Sequence, residues 1–448
     1  MKYTPIIGME IHVELATLSK LFCGCKNDPF NAPEPNRYTC PTCLAMPGGL
    51  PVTNKKAVEW TIRLGLALGC EIPLFSQFDR KHYFYPDLPK GYQISQYDHP
   101  LCKNGLVRIP SGDVRINRVH LEEDAGKLLH QAVDGKNVTL IDFNRSGVPL
   151  VEIVTEPDIH SGDQAKAFLK KLHQIIRYLD ISGADMEKGT MRLEPNISLI
   201  QTSKFKSQNF QLPEYKVEVK NINSFNFVKR AIEYEVKRQS ELLDKGETPE
   251  QETRGYVEAT SSTVSQRKKG NSNDYRYFPD PDIPPMKWEK EYIANLKSLI
   301  PELPDAKIER FQKEYGLSQS DCEQLTESKD RALYFENCVK LTKSEKEFSN
   351  ILPKIISNML INRSIDIQSI EPRTFLASIK KEKADNSVDS TLIEKTITAV
   401  ISANPKAVID YKAGKTPVLM FLVGQVKKEL KGKGEAKMIE NELLMQLS

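Results

Sequence analysis

The chain has 448 residues, of which 39% are hydrophobic and 27% are charged, a composition typical of a globular protein with two or three domains. Its 63 Lys and Arg residues nearly balance 60 Asp and Glu residues, and the resulting net charge of +3 excludes a chain that is basic throughout. It has no run of 18 apolar residues and no signal-peptide pattern, so we expect a cytoplasmic protein with no membrane partner.

The first strand is predicted from the alternation of apolar and polar residues between Pro5 and Leu15. Successive side chains of a strand point to opposite faces, so Glu10, His12 and Glu14 should share one face, with alternate residues roughly 7 Å apart. Two carboxylates that flank an imidazole are able to hold a divalent metal. The alternative that the alternation leaves open is an ordinary strand with one hydrated face.

Four of the 8 cysteines lie close together in the sequence, at Cys23, Cys25, Cys40 and Cys43. Two close pairs separated by a short loop are typical of a knuckle in which four thiolates bind one tetrahedral Zn²⁺. The first pair has one intervening residue where two are commoner, so a redox pair and unligated cysteines remain as alternatives. Four thiolates leave no position for a water molecule, so the predicted zinc is structural.

Periodic patterns predict further helices and strands in an N-terminal α+β region. The helices are expected at Asn54–Leu68, Ser161–Leu179 and Ser224–Asp244, and the strands at Val114–Asp124, Thr139–Phe143, Pro149–Thr155, Met191–Ile200 and Tyr215–Val219. The segment Phe78–Gln93 has no clean period and is rich in aromatic and basic residues, so we predict an ordered loop that belongs to a site. A packed surface loop is the alternative.

Several of the predicted strands carry charged residues on one face. Glu152 has apolar neighbours on its face, so its carboxylate requires a cationic or hydrogen-bonding partner. Glu122 and Glu123 point to opposite faces of their strand, and the local pattern does not decide which of them faces a metal. Such faces in one α+β domain predict a polar floor for a metal and a polyanion, as phosphoryl transfer requires.

Beyond about residue 295 strand patterns give way to helical periodicity. Helices are predicted at residues 304–315, 318–326, 328–341, 345–361, 391–403, 404–413, 416–431 and 435–447. Glu382–Ser390 is polar and is interpreted as a flexible linker. The lysines between Lys427 and Lys433 are interpreted as a solvated helix face or as a contact with an RNA backbone. We therefore predict a catalytic domain over residues 1–295, a helical domain over 296–370 and a helical tail over 371–448.

Two common catalytic motifs are absent from the sequence. There is no G-x-x-x-x-G-K-[ST] motif, which disfavours a Walker-type kinase, and no G-x-S-x-G elbow, which disfavours serine acylation. A metal-and-phosphate enzyme is the class that the charged strand faces favour.

Seven stretches of the sequence resemble the B subunit of the aspartyl/glutamyl-tRNA amidotransferases. They are Ile7–Leu15, Asp79–Asp87, His120–Lys127, Val151–Asp158, Lys220–Phe225, Asp274–Pro279 and Phe421–Lys427. The resemblance spans nearly the whole chain. It departs at Leu193, Glu194 and Pro195, where the family more often has Cys, Asp and a small residue. Between about residues 360 and 395 the chain is shorter than the family's usual length, and the family's usual helical signature is not evident there.

The resemblance implies a glutamine synthetase-like α+β catalytic domain followed by all-α domains that end in a tRNA-binding tail. It implies that ATP phosphorylates the carboxylate of Glu-tRNA(Gln) and/or Asp-tRNA(Asn), and that ammonia displaces the phosphate to give Gln-tRNA(Gln) or Asn-tRNA(Asn). The ammonia would come from glutamine hydrolysed by the A subunit, which is an amidase, and the small C subunit would complete a heterotrimer.

The resemblance also implies roles for individual residues. Mg²⁺ would be held by Glu10, His12 and Glu152 together with Glu122 or Glu123, and Lys81 would be a base that handles phosphate. Arg192, Glu194 and Asn196 would contact the nucleotide and the metal. The residues Cys23, Cys25, Cys40 and Cys43 match a zinc knuckle that some members of the family have.

Two functions of other classes compete with this interpretation. The first is a catalytically inactive scaffold that binds tRNA, and the presence of Glu10, His12, Lys81 and Glu152 argues against it. The second is a free-standing ATP-dependent ligase that acts on a small amino acid. The helical C-terminal region argues for a macromolecular substrate instead.

Overall fold

The computed structural model describes residues 2–205, 211–268, 275–385 and 390–447. The chain divides into two units, Met1–Lys307 and Ile308–Ser448. Asp274 of the aromatic segment and residues 386–389 of the predicted linker lie outside the described residues.

The strands of the described residues all lie in the first unit. They are β1 (Tyr3–Glu14), β2 (Phe75–Ser76), β3 (Asp79–His82), β4 (Tyr92–Ser95), β5 (Cys102–Ile109), β6 (Gly112–Glu123), β7 (Lys127–Val133), β8 (Lys136–Asp142), β9 (Pro149–Thr155), β10 (Met191–Gln201), β11 (Val217–Lys220), β12 (Glu252–Val257), β13 (Ser262–Lys268), β14 (Phe278–Pro279) and β15 (Met286–Lys287).

The α-helices of the described residues occur in both units. They are α1 (Lys55–Ala67), α2 (Gly162–Tyr178), α3 (Thr202–Phe205), α4 (Phe225–Asp244), α5 (Lys290–Ser298), α6 (Pro304–Tyr315), α7 (Gln319–Thr326), α8 (Lys329–Ser344), α9 (Pro353–Asn362), α10 (Pro372–Asp385), α11 (Ser390–Ala403), α12 (Pro405–Lys412), α13 (Val418–Glu429) and α14 (Ala436–Leu447).

The first unit is built on a mixed sheet of eight strands in the order β13-β12-β11-β10-β1-β9-β6-β5. β1 lies inside this sheet and pairs antiparallel with β10 over most of its length and with β9 over its second half. β11 and β12 pair in parallel. Smaller sheets are formed by β14-β3-β4, by β15-β2 and by β7-β8.

One face of β1 supplies the centre of the first core. Ile7, Ile11 and Val13 are 0% exposed and belong to a cluster that includes the buried residues of α1, α2 and α4. Complete burial of each such side chain is worth roughly 1.5–3 kcal/mol. The period of two leaves the intervening side chains on the opposite face, which is free to carry polar groups.

The described residues of the second unit form helices joined by loops, with no strand among them, and this confirms the predicted fold class of an α+β domain followed by helices. One apolar cluster gathers residues from Phe311 to Ile379, and another gathers residues from Ile393 to Leu447. Within the described ranges, no helix combines the length and the apolar character that crossing a membrane requires.

Three predictions of secondary structure are wrong. The segment Phe78–Gln93 is not only a loop, because β3 pairs there with both β4 and β14, and β14 comes from residues too distant for a local pattern to reveal. The helix predicted at 345–361 is broken, since α9 starts at Pro353, which lacks the N–H that a continuous helix needs. A helix, α10, occupies part of the segment 360–395, and it includes Glu382, the first residue of the predicted linker.

A glycine in α1 marks a close contact between this helix and the sheet. A Cβ atom added to Gly65 would overlap Cys102 Sγ and lie 2.7 Å from Cys102 Cβ, and Cys102 is fully buried in β5. At a solvent-exposed helix position, by contrast, replacing glycine by alanine is favourable, because glycine destabilises a helix by about 1 kcal/mol relative to alanine. Gly424 of α13 is exposed, and a Cβ added there would have nothing within 4 Å.

We predict effects of opposite sign for these two glycines. Gly65→Ala should lower the free energy of unfolding by about 1–3 kcal/mol, because overpacking displaces Cys102. Gly424→Ala should raise it by about 0.5–1 kcal/mol through helix propensity. Urea unfolding followed by circular dichroism measures both changes. A Gly65→Ala variant as stable as Gly424→Ala would show that α1 and β5 do not pack as described.

Candidate active site

A row of polar side chains crosses the polar face of the large sheet. His12 of β1 lies opposite Glu152 of β9 on one side and opposite Arg192 of β10 on the other. Glu152 in turn lies opposite His120 of β6. Residues directly opposite each other in antiparallel strands share a face. The order of the strands therefore brings together side chains that are far apart in the sequence.

Three of these side chains, together with Glu122 of β6, form a compact group, the histidine–glutamate cluster: His12, His120, Glu122 and Glu152. His12 Nε2 lies 3.5 Å from Glu152 Oε2 and 3.7 Å from Glu122 Oε1. His120 Nε2 lies 3.1 Å from Glu152 Oε2 and 3.6 Å from Glu122 Oε2. Ser95 Oγ donates to Glu122 Oε2 at 2.8 Å. His12 Nδ1 is buried without a hydrogen-bond partner among the described residues, so the cluster has unused hydrogen-bonding capacity.

The ionisation of the cluster is set by burial and by opposite charges. Burial lowers the pKa of His12, but the carboxylates of Glu152, Glu194 and Glu122 outweigh burial and raise it to about 9. Burial raises the pKa of Glu152, but the imidazoles of His120 and His12 outweigh it and hold the pKa well below its usual range. A carboxylate that stays ionised in a buried place is suited to hold a cation.

Lys81 of β3 belongs to the same electrostatic environment. Burial lowers the pKa of Lys81, but the negative charges of Glu122 and Glu152, with Tyr277 beside them, outweigh burial and raise it. Its ammonium group is therefore charged beside the histidine–glutamate cluster. The structure thus places the predicted phosphate-handling base near two of the predicted metal ligands.

A second acidic group, the glutamate cluster, consists of Glu10, Glu194 and Glu218. Oxygen atoms of the three carboxylates lie within 4.8 Å of one another. Burial, followed by the charge of Glu152, raises the pKa of Glu10. Asn196 Nδ2 donates to Glu10 Oε1 at 3.0 Å. Convergent carboxylate oxygens are the ligands that hard divalent cations such as Mg²⁺ prefer.

One cation of the chain already contacts the glutamate cluster. Lys220 Nζ lies 3.1 Å from Glu194 Oε2 and 3.5 Å from Glu218 Oε1. Thr253 Oγ1 donates to Glu218 Oε2 at 2.7 Å. The strand pairing explains the arrangement, because Glu10 lies opposite Glu194, and Asn196 lies opposite Glu218.

The two adjacent glutamates of β6 have different surroundings. Glu122 belongs to the histidine–glutamate cluster, whereas Glu123 accepts from Lys90 Nζ at 2.7 Å and from the backbone N–H of Ile94 at 3.0 Å. Glu123 therefore fixes the segment around β4 to β6. Of the two residues predicted as alternative metal ligands, the structure brings Glu122 to the cluster and Glu123 to the opposite face.

Arg192 has a buried partner of its own. Its Nη2 donates to Asp124 Oδ2 at 2.7 Å, and Arg145 Nε lies 3.7 Å from the same oxygen. Glu14, predicted to share the face of Glu10 and His12, is buried beside this pair. Burial and the charge of Asp124 raise the pKa of Glu14 to about 8.

Sequence reasoning did not select three residues that the structure adds to the candidate site: His120, Glu218 and Lys220. The signal for each was present in the local pattern. His120 shares a strand face with Glu122, and Glu218 and Lys220 share the polar face of β11. What the pattern lacked was the order of the strands, which places these faces side by side.

The four clustered cysteines converge outside the sheet. The sulfur atoms of Cys23, Cys25, Cys40 and Cys43 lie within 4.8 Å of one another, and those of Cys40 and Cys43 are 3.8 Å apart. A tetrahedral Zn²⁺ with bonds of about 2.3 Å requires sulfur atoms about 3.8 Å apart, so this donor set fits zinc.

A fully buried lysine supports the cysteine group. Lys20 is 0% exposed, and its Nζ donates to the carbonyl oxygens of Tyr38 at 2.7 Å and Phe143 at 3.2 Å. It also lies 3.8 Å from Cys43 Sγ. The Cys23 thiol, together with the Lys20 ammonium, holds the pKa of Cys43 at about 5 despite burial. Lys20 thus compensates negative charge on sulfur, as groups around metal ligands commonly do.

Comparison with known proteins gives one consistent result. The family model described as the GatB/GatE catalytic domain matches residues 5–294, and a model described as the GatB domain matches residues 376–447. A protein of Thermotoga maritima is 44% identical over 486 aligned positions, covering 100% of this chain and 99% of the relative. A protein of Thermosipho melanesiensis is 47% identical over 472 positions, covering 98% of each. A protein of Persephonella marina is 44% identical over 485 positions, covering 100% of each.

All three relatives carry the same description, which names the B subunit of aspartyl/glutamyl-tRNA(Asn/Gln) amidotransferase. The alignments are longer than the 448 residues of this chain, so the relatives contain residues that it lacks. With a catalytic-domain model over more than half of its length and relatives similar from end to end, the chain belongs to the GatB family of amidotransferase B subunits.

We predict that Lys20→Met lowers the free energy of unfolding by about 1–3 kcal/mol, because two buried carbonyl groups lose their charged donor. Lys55→Met is the control, since Lys55 is exposed and its Nζ lies 3.8 Å from Glu59 Oε1, and its effect should stay within about 0.5 kcal/mol. Urea unfolding measures both variants. Equal effects of the two changes would contradict the supporting role of Lys20.

Proposed function

We propose that this chain acts as the B subunit of a tRNA-dependent amidotransferase and activates, with ATP, the carboxylate of Glu-tRNA(Gln) and/or Asp-tRNA(Asn). The enzyme is a glutamine-hydrolysing ligase that forms a carbon–nitrogen bond. The observation that carries the proposal is the charged Lys81 beside the histidine–glutamate cluster on the polar face of the sheet. The descriptions of the relatives support the substrate class.

The chemistry explains why ATP is needed. Ammonia does not displace an oxide from a carboxylate. Transfer of the γ-phosphoryl group of ATP to a carboxylate oxygen forms an acyl phosphate and ADP. Ammonia then attacks the carbonyl carbon, the carbon–oxygen bond to phosphate breaks, and inorganic phosphate leaves. Catalysis of such a transfer depends mainly on positioning and on neutralising phosphate charge.

The residues of the two clusters fit a Mg²⁺ requirement. The predicted Mg²⁺ ligands are divided between the two clusters: His12, Glu122 and Glu152 would hold one ion, and Glu10 would hold another together with Glu194 and Glu218. When bound, Mg²⁺ supplies positive charge that neutralises and orients phosphate oxygens.

The remaining polar residues of the site have distinct tasks. Lys81 contacts phosphate oxygens through its ammonium group. Glu194 and Asn196 lie beside Glu10, where they would contact the metal and the nucleotide. Arg192 is predicted to contact the nucleotide as well. Its hydrogen bond with Asp124 holds the guanidinium, and Arg192 lies opposite His12 of the histidine–glutamate cluster. Strands of the large sheet hold Arg192, Glu194 and Asn196, and β3 of the three-stranded sheet holds Lys81, before any substrate binds, so little reorganisation is required.

The proposal includes partners and a structural metal. The A subunit, an amidase, would release ammonia from glutamine, and the small C subunit would complete a heterotrimer. The cysteine group would bind one structural Zn²⁺. The division into a catalytic domain over residues 1–295, a helical domain over 296–370 and a tRNA-binding tail over 371–448 belongs to the same proposal, as does a cytoplasmic location, where the aminoacyl-tRNA would be used in protein synthesis.

The proposed activation step predicts ATP cleavage that depends on the charged tRNA. The complex with the A and C subunits should release ADP in the presence of Glu-tRNA(Gln) or Asp-tRNA(Asn), and Glu10→Ala should reduce this release by 100-fold or more, on the order of the loss of a group that stabilises transition-state charge. Glutamine hydrolysis by the amidase in the same variant complex is the control and should persist. Cleavage of ATP absent in the wild type, with tRNA binding intact, would favour the inactive scaffold.

Adjacent glutamates provide a matched test of the metal site. Glu122→Gln should weaken Mn²⁺ binding, measured by electron paramagnetic resonance as a substitute for Mg²⁺, by on the order of tenfold or more. Glu123→Gln should leave Mn²⁺ affinity unchanged and lower the melting temperature, because Lys90 loses its buried partner. Weaker Mn²⁺ binding in Glu123→Gln than in Glu122→Gln would reverse the assignment.

A further inference from the structure

Four tyrosines form a connected series of ring contacts that starts at Lys81, and the proposed phosphoryl transfer does not use them. This tyrosine cluster consists of Tyr83, Tyr97, Tyr275 and Tyr277. Lys81 Nζ lies 5.1 Å from the ring centre of Tyr275 and 5.9 Å from that of Tyr83. The rings of Tyr275 and Tyr83 meet edge to face with centres 6.0 Å apart. The cluster thus begins at Lys81, the residue proposed to contact phosphate.

The outer part of the cluster is a stacked pair of rings. The centres of Tyr97 and Tyr277 are 4.4 Å apart, and the ring planes are inclined by 13°. The ring of Tyr277 also contacts that of Tyr275, whose centre is 6.1 Å away. Tyr97 is 51% exposed, so the stack ends in an aromatic ring that is open to solvent. Flat, parallel rings that end in an open ring are suited to receive another flat ring.

Tyr97 is held in place by the surrounding backbone. The N–H of Tyr97 donates to Asp79 Oδ2 at 2.8 Å, and Asp79 is buried at the start of β3. The neighbouring Gln96 is also buried, and its Oε1 accepts from the N–H of Leu121 in β6. An exposed aromatic ring on a fixed backbone loses little entropy when a ligand stacks on it.

We propose that the stacked pair of Tyr97 and Tyr277 binds the 3′-terminal adenine base of the aminoacyl-tRNA. The proposal rests on the proposed function, because it concerns the same substrate. In that substrate the reacting carboxylate is joined to the terminal base by an amino acid and one ribose, a chain of about nine bonds that spans roughly 11 Å when extended. The base must therefore lie near Lys81, and the tyrosine cluster is an aromatic surface that starts there.

The amount of exposed aromatic surface favours the end of a single-stranded nucleic acid over a lone nucleotide. In the loop between β3 and β4, Phe84 is 82% exposed and Tyr85 is 59% exposed. Together with Tyr97 they present rings at both ends of this hairpin. One nucleotide needs one stacking partner, whereas the unpaired end of a tRNA offers successive bases, and proteins bind such ends by stacking bases on aromatic side chains.

Substitution of the open ring tests the proposal in the assembled complex. Tyr97→Ala should raise the KM for the charged tRNA about 5- to 100-fold, the range expected for one stacked base, and leave the KM for ATP unchanged. Tyr97→Phe keeps the ring and should behave like the wild type. Tyr97→Leu keeps the apolar bulk without the aromatic face, so it should behave like Tyr97→Ala and serves as the test variant if alanine impairs assembly.

Small esters isolate the contribution of the base. Wild-type complex should use 3′-O-glutamyl adenosine more efficiently than the corresponding glutamyl ribose, and Tyr97→Ala should lose this discrimination. A higher KM for ATP in Tyr97→Ala would mean that Tyr97 and Tyr277 bind the nucleotide cofactor. An unchanged KM for the charged tRNA would mean that Tyr97 does not bind the terminal base. Either result overturns the inference. Wild-type complex without tRNA-dependent ATP cleavage would instead contradict the proposed function itself.

Discussion

The pairing of β1 between β9 and β10 is the constraint on which both the core and the candidate site depend. Its register places Ile11 opposite Ile153 and Leu193 on the apolar face, and His12 opposite Glu152 on the polar face. Because the side-chain period is two, a slip of one residue would exchange the two faces, burying a histidine in the core. The hydrophobic free energy of the first unit thus fixes the position of the charged residues, although these add little to that free energy themselves.

The buried charges of the histidine–glutamate cluster are tolerated because neighbouring groups of opposite charge balance them. Glu152 lies between the imidazoles of His12 and His120, and the negative charge of Glu122 is balanced by Lys81 and by a hydrogen bond from Ser95. Isolated burial of any one of these groups would cost several kcal/mol. The site can for the same reason accept a polyanion together with a metal cation, because the two added charges neutralise each other. We regard this mutual neutralisation as the physical basis of the proposed chemistry.

The sequence was sufficient where a local pattern decides the structure. The alternation around Glu10 and His12 predicted their shared face, and the apolar neighbours of Glu152 predicted its need for partners. The local sequence pattern could not show whether Glu122 or Glu123 faces the metal site, because the answer depends on how β6 pairs with β9. Nor could a local pattern predict the β3 hairpin, since β14 joins it from nearly 200 residues later along the chain.

The cysteine group and the candidate site are connected through the backbone. Lys20 donates to the carbonyl of Phe143, and the N–H of the next residue, Leu21, donates to the carbonyl of Gly147. The N–H of Gly147 in turn donates to the carbonyl of Asp124, whose carboxylate holds Arg192. A structural metal at the cysteines would thus stabilise the end of β6, from which the side chains of His120 and Glu122 project. A site that performs no chemistry can in this way determine how firmly the reacting groups are held, because geometry at the chemical centre depends on the elements that carry it.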